Sequence, residues 1–293
     1  MLFLCDTKYL MKRSLSIPVL ALAAAVAAPA AGHADPLTIF QPTRVRPVSV
    51  TPADARALQA LPPLEAFGTL HGTRSPGVED AASAQDASEQ AGYALRLPSG
   101  VPAGLAKDVH YEVTGRARAT FTFERAKAAT WARENGVALR PLPSGLDGST
   151  FTATLSPVAI VIYGTPPRGR RADRGARRGN FLAVVQAPVP TISSSGASLA
   201  ALESWIVAQP GIPAHLREQV RALGDPSQTL PIPIRFDKQT ATRVTVDGVD
   251  GLAIGDETGI GSAVVWTKDG RLYAVGGTLP QSALMTLAGS LHE

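Results

Sequence analysis

Residues 241–275, ATRVTVDGVDGLAIGDETGIGSAVVWTKDGRLYAV, decide the fold class. Four apolar-rich runs, ATRVTV, GLAI, SAVVWT and RLYAV, are punctuated by Asp247-Gly248 and Asp269-Gly270. Two-residue hairpins select such dipeptides because both central positions need positive φ. Successive hairpins make an antiparallel meander. Counting outward from Asp269-Gly270, residue 268 pairs with 271 and 266 with 273, so Trp266 and Tyr273 face each other across the ladder.

The same stretch excludes two chemistries. GDETGIGSA at 255–263 precedes a strand, whereas a dinucleotide fingerprint follows a strand and opens a helix. Asp247, Asp250, Asp256 and Glu257 do not have the spacing of a helix-loop-helix calcium loop and read as turn residues.

Working outward, a last helix carries Leu284, Leu287, Ala288 and Leu291 on one stripe. Upstream, LPIPIRF at 230–236 has Pro at alternate positions, so it is extended but not a central strand. Two helices precede it. Leu199, Leu202, Trp205 and Ile206 share a face of the first; Leu216, Val220 and Leu223 share a face of the second. VAIVIY at 158–163 and FLAVV at 181–185 are continuously apolar, the mark of strands covered on both faces. Strands are also expected at Tyr93–Leu97, Val109–Val113, Ala117–Phe123 and Phe151–Leu155, with a helix over ERAKAATWAREN that Gly136 closes. The expected fold is α+β: an antiparallel or mixed β-sheet with helices packed on one face, spanning residues 82–293.

Residues 35–81 are rich in Pro, Thr, Ala and Arg and show one short helix, from Pro52 through Leu58; composition marks them as a flexible extension. Residues 1–34 read as an N-terminal extension plus a signal peptide. Lys12 and Arg13 precede an apolar stretch, Leu15 to Ala28, and small residues end at Ala34. That stretch is shorter than the roughly 20 residues a bilayer span needs, so cleavage near Ala34 is expected in preference to a signal anchor. Met1 and Met11 both serve as candidate starts. The one cysteine, Cys5, lies before the signal. A chain from Asp35 would hold no disulfide and no thiolate metal site.

The net charge of +4 is local. The first 34 residues hold Lys8, Lys12 and Arg13 against Asp6, which leaves +2 for the remainder; the stretch PPRGRRADRGARRGN at 166–180 alone carries +5, so the rest sums to about −3. Arg168, Arg170, Arg171, Arg174, Arg177 and Arg178 thus form a candidate surface for anionic lipid or envelope polymer, on a loop at 164–180 between two strands expected to be neighbours. A nucleic-acid partner is not expected, since no aromatic residues interleave the arginines to stack on bases.

Candidates for catalysis are few. The five histidines, at 33, 71, 110, 215 and 292, include no close pair, so no metal site is expected. His215 and Glu218 share a helix face beside Arg217 and Arg221 and read as a solvated polar surface. No G-x-S-x-G or S-x-x-K occurs, and SSSGAS at 193–198 reads as a loop leading to Ser198 as a helix N-cap.

Two segments carry a resemblance. ASEQAGYALRLPSGVPAGL at 87–105 resembles the opening, and VVWTKDGRLYAVGGTLPQSALMTLAGSL at 264–291 the ending, of a family of uncharacterised bacterial extracytoplasmic domains. In that family the domain occurs on secreted or membrane-tethered proteins and as the outer part of anti-sigma factors, and is loosely similar to periplasmic lipoprotein-sorting and sigma-regulator domains. The resemblance brings no catalytic residues and no cofactor. The chain lacks the cytoplasmic zinc-binding region of the anti-sigma arrangement. The expected function is an exported, non-catalytic binding or sensing module of the bacterial cell envelope, with an envelope protein or an anionic lipid or polymer as partner. The alternative is a carrier of an apolar, lipid-like ligand in a concavity between sheet and helices; third comes a hydrolase with an unrecognised site.

Overall fold

Short strands outnumber helices along the computed structural model, which describes residues 37–72, 77–166, 180–235, 237–256 and 261–292. The chain runs β1 (Leu37–Phe40), β2 (Arg44–Val50), α1 (Pro52–Gln59), β3 (Gly68–Gly72), β4 (Val78–Ala81), α2 (Ala84–Ala91), β5 (Leu97–Pro98), β6 (Val109–Thr114), β7 (Ala117–Phe123) and α3 (Arg125–Asn135). It continues through β8 (Thr150–Leu155), β9 (Ala159–Gly164), β10 (Phe181–Pro188), β11 (Thr191–Ser194), α4 (Leu199–Val207), α5 (Ala214–Ala222) and β12 (Thr229–Arg235). Then follow β13 (Gln239–Val246), β14 (Val249–Asp256), β15 (Ser262–Lys268), β16 (Arg271–Gly277), α6 (Gln281–Gly289) and β17 (Leu291–His292).

The fold is α+β. One antiparallel sheet has eight strands in the order β13-β14-β15-β16-β10-β9-β6-β4, and a second has five in the order β1-β11-β8-β7-β3. The C-terminal meander supplies half of the larger sheet. Its turns have the two positive φ values a type I′ hairpin needs, 51° and 77° at Asp247-Gly248 and 50° and 72° at Asp269-Gly270. Trp266 pairs with Tyr273 in the ladder. Their buried rings stack with centroids 5.3 Å apart.

Helices cover one face of each sheet. On the larger sheet, Ala87 and Ala91 of α2 and Leu284, Leu287 and Ala288 of α6 pack with Val161, Val184 and Val275. The other face of its meander is covered by a parallel pair, β2 against β12. On the smaller sheet, α3 and α4 pack over Phe121, Phe123 and Phe151. Phe67, Phe123 and Trp205 meet edge to face at centroid distances of 4.9 and 5.5 Å, a geometry aromatic quadrupoles favour. β9 and β10 are antiparallel neighbours, and Val161, Leu182 and Val184 have no exposed surface.

Two expectations are corrected. Residues 37–72 and 77–81 are not an extension: β1 and β3 form both edges of the smaller sheet, β4 is an edge of the larger, and β2 pairs with β12. Edge and two-stranded positions tolerate Pro and polar residues, as at Pro47, so their strands carry little apolar periodicity. Tyr93–Leu97 is not a strand either; only Leu97–Pro98 is, paired with β17. Residues 93–96 are held by side chains instead. The Tyr93 hydroxyl donates to the Gln186 carbonyl at 2.6 Å, and the buried Gln186 amide accepts from Arg96 N at 2.9 Å and donates to Arg96 O at 2.6 Å. One side chain thus does for Arg96 what a neighbouring strand would.

Among the described residues no helix is long and apolar enough to cross a membrane. The expected signal peptide at 1–34 lies outside the described residues.

Candidate ligand-binding site

β2 and β12 form a ribbon with two unlike faces. Val45, Ile232 and Ile234 pack toward Leu252, Val265 and Leu272 of the large sheet. By period-two alternation the other face presents Val48 and Val50 from β2 and Pro231 and Pro233 from β12. The alternate prolines of LPIPIRF therefore put two rigid rings on one surface. A ribbon with only two strands leaves β12 a free edge, where a missing N–H breaks no ladder.

Three helices roof that surface. α1 begins with a capping box, in which Thr51 Oγ1 accepts from Asp54 N at 3.1 Å and Asp54 Oδ2 accepts from Thr51 N at 2.8 Å. It turns Ala55 and Leu58 inward. α4 begins at the N-cap Ser198, whose hydroxyl accepts from Ala201 N at 3.2 Å. Its expected single stripe divides: Leu202 and Trp205 enter the aromatic core, while Leu199 and Ile206 pack at that core's margin and reach the roof. α5 is strongly amphipathic, with Leu216, Val220 and Leu223 all facing inward.

Between ribbon and helices lies a cavity of about 240 Å3. Its wall is apolar apart from Glu203 and Thr229. The Thr229 hydroxyl is engaged, accepting from Arg44 Nε at 2.8 Å and facing Leu223 O at 3.4 Å. Glu203, on α4, is the one charged residue in the wall. Burial against the surrounding apolar groups raises its pKa above the usual carboxylate range.

Two polar links hold α5 in place. His215 Nε2 lies 2.9 Å from Asp54 Oδ2, and one turn on, Gln219 accepts from Ser49 N at 2.7 Å and donates to Ser49 O at 3.1 Å. Asp54 is almost fully buried, which by itself pushes its carboxyl up; hydrogen bonds from Thr51 and the contact with His215 outweigh burial and hold it below the usual range. His215 therefore does more than decorate a solvated helix face. Its partner is Asp54, an acid already committed to capping α1, so the pair ties two roof helices together.

A second, wider depression of about 710 Å3 lies between the β1–β2 connection and the β15–β16 turn. Its wall is mixed, and its lysine, Lys268, is held by Asp247 at 2.8 Å. Other residues singled out in sequence take structural places. Ser194 of the SSSGAS run donates to Ala197 O at 2.8 Å, and Asp250 pairs with Arg46 at 3.4 Å. Asp256 Oδ1 faces Gly261 N at 3.4 Å; Glu257 lies outside the described residues. So do Arg168, Arg170, Arg171, Arg174, Arg177 and Arg178. The structure does place the ends of their segment side by side, Gly164 opposite Phe181. Among the described residues no three His, Cys, Asp or Glu side chains gather as metal ligands would.

Comparison with models of protein families, with curated proteins and with solved structures finds no match to this chain.

Proposed function

We propose that this chain is a non-catalytic binding module of the bacterial cell envelope, and that its ligand is an apolar group held between α1, α4, α5 and the β2–β12 ribbon. The cavity carries this reading. It is larger than the ~150 Å3 apolar cavity that takes up benzene elsewhere, and a concave, largely apolar site with few polar groups is the usual form of a small-molecule pocket. Export rests on the basic, apolar and small-residue order of residues 11–34, and an extracytoplasmic role also on the resemblance of residues 87–105 and 264–291. The anionic-surface role of the arginines at 168–178 is proposed as a separate attachment function on the β9–β10 connection.

The test is titration of the full chain with N-phenyl-1-naphthylamine, a probe that fluoresces in apolar surroundings. Saturable enhancement is expected, and Val220→Trp, which fills the cavity, should abolish it while leaving the circular dichroism unchanged. Enhancement that Val220→Trp leaves intact would overturn the assignment.

A further inference from the structure

Deepening the cavity reading, on which it rests, we propose that the ligand is a cationic amphiphile, an aliphatic chain ending in an amine, whose head is received by Glu203. The wall has a single charge, and that charge is negative. It sits on α4 within an apolar surround formed by Leu199, Leu202, Ile206 and Val207. Among the described residues the Glu203 carboxylate makes no side-chain hydrogen bond or ion pair, and burial is the one influence on it. The only other polar side chain in the wall, Thr229, is already committed to Arg44 and Leu223.

A partly desolvated carboxylate without a partner is costly, and a cation or strong donor brought beside it recovers the loss. A fatty carboxylate would instead bring two like charges together in surroundings of low dielectric. An alkanol would satisfy one lone pair but not the charge. Apolar chain and ammonium head together match both parts of the wall.

The experiment displaces N-phenyl-1-naphthylamine from the full chain with dodecylamine, dodecanol and dodecanoate, each below its aggregation limit. Dodecylamine is expected to displace at a concentration at least tenfold below dodecanoate. Glu203→Gln should retain probe binding, retain displacement by dodecanol and remove most of the tenfold preference. Equal displacement by all three, or preference for the carboxylate, overturns the amine head while the apolar cavity stands. A preference for dodecylamine that survives Glu203→Gln overturns the role of that residue. Failure of the probe to bind at all overturns both readings together.

Discussion

His215 Nε2 sits 2.9 Å from Oδ2 of Asp54, a residue 161 positions earlier in the chain. That contact fastens α5 to the capping box of α1, joining two helices of the cavity roof. Asp54→Asn should lower stability at neutral pH by about 1–2 kcal/mol, the usual range for a lost helix cap with a charge-assisted hydrogen bond. The sign of its pH dependence follows from the carboxyl being held below the ordinary aspartate range. Its contribution is complete above the unfolded pKa, near pH 4, and is lost as pH falls through the lower folded pKa. Urea midpoints of wild type and Asp54→Asn should therefore differ at pH 7 and converge as pH falls through the lowered folded pKa of Asp54. His215→Ala combined with Asp54→Asn should cost less than the two separately, because they share one contact.

Gln186 is fully buried and its amide serves both Arg96 N and Arg96 O. Gln186→Leu keeps the volume roughly but removes both hydrogen bonds that the side chain makes to the Arg96 backbone. The expected loss is about 2–6 kcal/mol, at about 1–3 kcal/mol for each of the two groups that loses its Gln186 partner. Chemical denaturation measures it, and hydrogen exchange should show new opening confined first to residues 93–98. A loss below about 0.5 kcal/mol would mean that the Gln186 amide does not hold residues 93–98 in place.

Deleting residues 167–178 should leave the fold intact, since Gly164 and Phe181 already pair in the ladder and Phe181 N is held by the Thr278 hydroxyl at 3.0 Å. The deletion should also remove sedimentation with phosphatidylglycerol vesicles at low salt, binding that wild type loses as salt rises. An unfolded deletion variant would show that the segment is structural. Gly164 must be kept, because its φ is +78° and a Cβ there would stand 2.5 Å from Asn180 O.

Much of the architecture was legible where a local rule applied. Asp-Gly turns, the Trp266–Tyr273 pairing, the continuously apolar β9 and β10 and the α5 stripe each follow from chain chemistry within a few residues. The alternate prolines of β12 marked a strand with a free edge. What escaped was non-local. β1 to β4 are edge or ribbon strands, so half of their surface has no apolar requirement to leave a pattern. Arg96 is held by the side chain of Gln186, 90 positions away, and Tyr93 by its backbone carbonyl. Asp54 and His215 looked like unrelated helix residues, although Thr51 and Asp54 at a spacing of three already marked a capping box. The cavity is built from α1, α4, α5 and residues of four strands, β1, β2, β11 and β12, none of which reveals it alone.

The β2–β12 ribbon also dictates when the site can exist. Its parallel register joins Arg44 to Thr229, 185 residues later, and Val50 to Arg235. Pairing at such separation costs loop-closure entropy before any contact rewards it, and is slow for that reason. The floor of the cavity closes only after about four-fifths of the polypeptide has been synthesised. A chain interrupted before residue 229 would carry the helices of the roof above β2 alone, so the proposed ligand uptake would wait on β12 and report on the completion of folding.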